Sequence, residues 1–179
     1  MEDQQQTNPS YWNSVIIAAL ITAVVVTAFN LIGGYMTLGS EPTGSFFSSA
    51  QLFSTIGCLI GALGGLYANW HYTKAFDVNY KIGKGALIGL LVGAIATVFA
   101  VLIGEIWGFI DPGFEEAIID WNIQNMEAMQ MPAEAKEQAI ASLEGGTSVF
   151  MEALYMFIGL GIVNVISGLI GAKVFASEE

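Results

Sequence analysis

The chain has 179 residues, of which 54% are apolar and 12% charged, against about a quarter charged in an ordinary soluble domain. Its charge is lopsided, with 16 acidic residues against 5 lysines, no arginine and a net charge of -11. That balance excludes nucleic acid as a partner and leaves no polybasic tail for anionic lipid, while a single cysteine, Cys58, excludes a disulfide framework or a cysteine metal site within one chain.

The missing charge is a membrane signature, and the apolar runs follow it in chain order. Met1 to Ser10 carries two acids and no base, the wrong flank for a cleaved secretory signal, so the first run is expected to remain as a helix. That helix is predicted over 15–36, behind an interfacial aromatic pair, Tyr11 and Trp12. Glu41, Pro42 and Gly44 make a turn. A second span is predicted over 46–70, polar in its first turns and carrying Gly57, Gly61 and Gly65 at four-residue spacing, a face suited to close helix approach.

A short polar connection with His71, Lys74, Asp77 and Lys81 leads to the third span, 84–110. Its apolar run would extend roughly 39 Å at about 1.5 Å per residue, more than the ~30 Å hydrocarbon core of a bilayer. Gly85, Gly89 and Gly93 form one small-residue stripe, and Ala96, Ala100, Gly104 and Gly108 another. Two stripes on one helix predict neighbours on more than one side, as for the central helix of a bundle.

Asp111 followed by Pro112 reads as a helix start, an N-cap with proline at the first helical position. Apolar Phe114, Ile118 and Trp121, then Ala139, Ile140 and Leu143, recur at helical spacing on either side of Pro132. An amphipathic helical hairpin over 112–144 is expected, ending at Gly145 and Gly146. The fourth span, 149–172, carries Gly161, Gly168 and Gly171. Lys74, Lys81, Lys84 and Lys173 lie on one side of the four spans and Lys136 alone on the other. The positive-inside rule therefore places both termini in the cytoplasm and the acid-rich hairpin outside. The fold class is all-α, a polytopic membrane protein of four transmembrane helices forming a single membrane domain.

A glycine-rich third span ending in Gly108, Phe109, Ile110, Asp111, Pro112, Gly113 and Phe114, followed by a helix pair rich in Met and Glu and by a fourth span, resembles the small bacterial membrane proteins of domain-of-unknown-function family 4199. The resemblance implies a four-span inner-membrane protein of Bacteroidota-type bacteria. It implies no activity, cofactor or catalytic residue.

Few residues can carry chemistry. Glu105 lies before Asp111 and Glu152 after Thr147 on their helices, each roughly 8 to 9 Å deep at about 1.5 Å per residue. Two carboxylates at matched depth are candidates to share a proton or bind a cation; the plainer reading puts both in the wet interface, where carboxylates are tolerated. Asn30 and Asn164 are expected to hold helices together through amide hydrogen bonds rather than to bind a ligand. Met126, Met129 and Met131 present thioethers that suit copper(I), although methionine is also a plastic filler of amphipathic faces. His71, between Trp70 and Tyr72, belongs to an aromatic belt. No triad, phosphate-cradling loop or zinc signature appears, so neither an enzyme nor a cofactor is expected. The surplus of glycine faces points to a structural or accessory subunit packing with itself or with another membrane protein; the alternative is a small ion-coupled transporter or channel using Glu105 and Glu152.

Overall fold

The computed structural model describes residues 9–45, 47–146 and 148–176, with the side chain of Glu144 excepted. Phe46, the expected start of the second span, Thr147, the reference for the depth of Glu152, and the acidic tail after Ala176 lie outside the described residues. Among the described residues seven helices follow one another: α1 (Trp12–Leu38), α2 (Ser49–Gly61), α3 (Leu63–Phe76), α4 (Ile82–Ile110), α5 (Phe114–Ala128), α6 (Ala133–Glu144) and α7 (Val149–Phe175). No strand occurs among the described residues. Four helical stretches, α1, α2 with α3, α4 and α7, are long and apolar enough to cross a membrane.

The burial pattern is inverted relative to a protein folded in water. Along α1 most buried residues are small or polar, including Ser14, Ala18, Ala19, Thr22 and Ala23 beside Val15 and Val26, while Ile16, Ile17, Leu20, Ile21 and Val24 face outward. Water would penalise such an apolar exterior, and lipid accepts it. The chain is therefore a multi-pass membrane protein.

Backbone contact between α4 and α7 is the centre of the bundle. A Cβ on Gly89 would collide with the Asn164 carbonyl and stand 3.2 Å from Gly168 Cα, and one on Gly93 would reach Gly161 Cα at 2.8 Å. The glycines of α2 serve α1 in the same way, Gly57 against Phe29 and Gly61 against Val26, each at 2.7 Å from a built Cβ. Glycine is required at these positions because the neighbour occupies the space of a side chain.

The second span is interrupted. It stops at Gly61, passes through Ala62 and resumes at Leu63, continuing to Phe76 rather than ending at Trp70. His71 and Lys74, expected in a connection, belong to α3. A cause of the interruption is visible: the Gly65 amide, which a continuous helix would direct to Gly61, donates to Asn164 Oδ1 at 2.7 Å. A side chain inserted into the i to i-4 ladder is a recognised origin of such a break.

At the end of the bundle that bears the chain termini, Lys84 Nζ lies 4.8 Å from the Tyr72 ring centre, 5.2 Å from Tyr80 and 5.7 Å from Tyr11. It also donates to the Tyr72 hydroxyl at 3.0 Å, which in turn donates to the Pro9 carbonyl at 2.7 Å. A lysine stem snorkelling into an aromatic cage fixes the entry into α1. His71 Nδ1 is 2.8 Å from the buried Ser14 hydroxyl, and its ring lies beside Tyr67.

The opposite end carries α5 and α6, which pack on each other. Asp111 is not the N-cap of α5. It closes α4, and its Oδ2 accepts from the Tyr35 hydroxyl at 2.6 Å, while Gly113 precedes the first turn of α5. Pro112 stays in the connecting turn, and α5 starts at Phe114, whose ring occupies the space left open at Gly34 and lies 4.7 Å from Tyr35. Asn125 grips the loop before α2, accepting from Gly44 N and donating to Ser45 O, both at 2.9 Å; Trp121 Nε1 donates to Ser40 O at 2.8 Å. Gly44 can do this because it sits at φ 70°, and a Cβ there would strike the Ala128 carbonyl at 2.6 Å.

Candidate functional site

Helices α4 and α7 touch through glycine only along part of their length. Toward the hairpin end they separate: nothing lies within 4 Å of a Cβ built on Gly104, Gly108 or Gly159. The packing expected at Gly104 and Gly108 is therefore not made among the described residues. The gap between the diverging helices is a cavity of about 420 Å³, roofed by α5 and lined by Glu105 and Gly104 from α4, Glu152 from α7 and Glu115 from α5.

A second cavity of about 530 Å³ lies on the other side of Glu152, between α1, α2 and α7. Val26, Met156 and Leu160 give it apolar walls, and Asn30, Ser54 and Cys58 add polar atoms. Glu115 and Glu152 line both cavities, so the pair stands at their junction. Glu105 lines only the smaller cavity. None of the three carboxylates has a hydrogen-bond or ion-pair partner among the described residues. Among the described residues no three His, Cys, Asp or Glu side chains are grouped as ligands of a metal ion.

The two carboxylates singled out by depth in the sequence, Glu105 and Glu152, thus share a cavity. Glu115 was not legible as their partner, because its position depends on how α5 folds back over the bundle. A signal existed nonetheless, since Glu115 falls at helical spacing with Ile118 and Ile119, on a face turned toward the spans. Asn164 behaves as expected of a packing residue: fully buried, it accepts from Gly65 N and donates to the Leu160 carbonyl at 2.9 Å. Asn30 does not. Its amide makes no hydrogen bond to the described residues and lines the larger cavity instead.

A second buried amide, Asn69, does the joining that was assigned to Asn30. It donates to Gly65 O at 2.7 Å and to Gly85 O at 3.4 Å, and accepts from the Tyr80 hydroxyl at 2.7 Å. Tyr80 lies in the connection before α4, and burial raises its phenol pKa above the usual value, with the neighbouring Tyr72 adding to the shift and a hydrogen bond from Thr73 opposing it. Met126 lies in the last turn of α5, with Met129 and Met131 in the turn that follows.

These features define a class, a four-span membrane protein with a carboxylate-lined crevice between its third and fourth spans. The chain matches the family described as "Protein of unknown function (DUF4199)" over residues 17–176 and belongs to it. No curated protein and no solved structure matches the chain.

Proposed function

We propose that this chain is a non-enzymatic protein of the bacterial inner membrane that takes up a proton or small cation in an outward-facing crevice, as a small ion-coupled transporter or channel. The observation that carries this reading is the convergence of Glu105, Glu115 and Glu152 on one cavity between diverging helices. Unpaired carboxylates at the edge of an apolar span are retained where they meet a cation or relay a proton. The lysines support the orientation, since Lys74, Lys81, Lys84 and Lys173 gather at the end opposite the crevice. Sodium and proton binding by the purified protein, in detergent and after reconstitution into liposomes, tests the proposal. Glu105→Gln and Glu152→Gln are each expected to weaken binding, and unchanged binding in both variants would end it.

A second reading is a subunit that packs with itself or with another membrane protein. Most glycine faces are used inside the chain, which removes much of the surplus that favoured it. What remains is specific: among the described residues nothing lies within 4 Å of a Cβ built on Gly104, Gly108 or Gly159. Cross-linking and native mass measurement in mild detergent would return only monomers if these faces meet no partner.

A further inference from the structure

The larger cavity has a composition that a bare ion does not explain. At about 530 Å³ it falls in the range of small-molecule sites, and an alkali ion held at Glu152 would leave its apolar part empty. One end is walled by Val26, Met156 and Leu160, and the other by Glu115 and Glu152 with the Tyr155 ring nearby. No lysine lines it. An anion would meet two unpaired carboxylates, and a neutral apolar molecule would leave both charges uncompensated. A bare inorganic cation would leave the apolar wall unfilled, whereas a cation joined to an apolar body sets that body against the wall and its charged group at the carboxylates, beside an aromatic face.

We infer that this cavity binds an amphiphilic organic cation, with its apolar body between α2 and α7 and its charged group at Glu115 and Glu152. The inference rests on the reading of Glu152 as a cation-binding group and names a ligand class for it. A soluble lipophilic amine and the amine of a membrane phospholipid share this chemistry.

Cys58 makes the test direct, because it is the chain's only cysteine and lines the cavity. The full-length protein in detergent is labelled with a maleimide in the presence of tetraphenylphosphonium or of tetraphenylborate, ions of the same shape and opposite charge. Tetraphenylphosphonium is expected to slow Cys58 labelling about tenfold at roughly ten times its Kd, and tetraphenylborate to leave it unchanged. Glu115→Gln and Glu152→Gln should abolish the protection while keeping the unliganded labelling rate, which shows that each variant retains the cavity. Glu105→Gln, which lines only the smaller cavity, should keep the protection. Equal protection by the two ions, or protection that survives in both Glu115→Gln and Glu152→Gln, would overturn the inference.

Sodium and proton binding, measured on the same samples, separates the two proposals. Their persistence without tetraphenylphosphonium protection would overturn the ligand class and leave the ion site standing. In nanodiscs, protection that needs phosphatidylethanolamine and no added probe would identify the amine as a lipid's. Equal labelling in phosphatidylethanolamine and phosphatidylglycerol discs, with tetraphenylphosphonium still protective, would identify a soluble amine.

Discussion

Two alanine substitutions on one helix test the central packing. In Gly89→Ala the added methyl meets the Asn164 carbonyl group, with its carbon at 2.8 Å, and Gly168 Cα at 3.2 Å. Both neighbours are backbone and cannot rotate away, so α7 must retreat by more than about 1 Å to restore ordinary contact with the carbonyl oxygen. Such overpacking costs typically about 1–3 kcal/mol, and exchanging glycine for alanine in a helix returns at most about 1 kcal/mol. A clash with backbone this deep falls at the upper end of that range, so the net expectation is a loss of about 2 kcal/mol or more. Gly104→Ala carries the same propensity gain and meets nothing within 4 Å, so it should leave stability unchanged or raise it by up to about 1 kcal/mol. Reversible unfolding in mixed micelles of increasing dodecyl sulfate fraction measures both variants against the parent. A Gly89→Ala variant as stable as the parent would refute the backbone contact between α4 and α7, and a Gly104→Ala variant as damaged as Gly89→Ala would refute the open face.

Asn164→Leu leaves the Gly65 amide without an acceptor at an interrupted, lipid-embedded helix, and should cost about 1–3 kcal/mol and speed hydrogen exchange at Gly65; unchanged exchange would show that the amide finds another partner. Asn125→Ala removes both hydrogen bonds to the loop at Gly44 and Ser45, so limited proteolysis between Gly39 and Ser45 should accelerate, and an unchanged cleavage rate would contradict the clamp. Because burial raises the Tyr80 phenol pKa, its stabilising contribution is complete below the unfolded value of about 10 and is lost as the pH climbs through the higher folded value. Stability should therefore fall at alkaline pH, and Tyr80→Phe should blunt that fall while losing about 0.5–1.5 kcal/mol at neutral pH with the bond to Asn69. An identical alkaline profile in Tyr80→Phe would remove Tyr80 as the titrating group.

The four spans were legible because length and hydropathy are properties of local sequence, and lipid imposes both. The glycine spacing is local as well, but the sequence does not say which neighbour, if any, each ladder meets. Gly57 and Gly61 turn out to serve α1, and Gly89 and Gly93 serve α7. The break at Ala62 escaped the sequence because no proline marks it; an acceptor far along the chain, at Asn164, takes the Gly65 amide. Asp111 misled for a related reason. Aspartate before proline has the local chemistry of an N-cap, but the Tyr35 hydroxyl, also distant in sequence, claims its carboxylate. Depth could match Glu105 with Glu152, whereas Glu115 needed the roof.

The same glycines that hold the bundle together also create its candidate site. Where Gly89 and Gly93 face Gly168 and Gly161, the backbones of α4 and α7 approach more closely than any side chain would allow. Beyond Ala100 that contact is not maintained, and the space opened between the helices receives Glu105 from one and Glu152 from the other. Burying carboxylates in the tight half would require desolvation without a partner; placing them in the open half keeps them reachable by a cation and screened by water. Because Glu115 belongs to α5, and α5 is tied through Asn125 to the loop that leads into α2, a cation drawn between Glu115 and Glu152 would pull on roof and loop together. The helices that carry Glu115 and Glu152 are also those that hold the second span, α5 through Asn125 at the loop before it and α7 through Asn164 at the Gly65 amide.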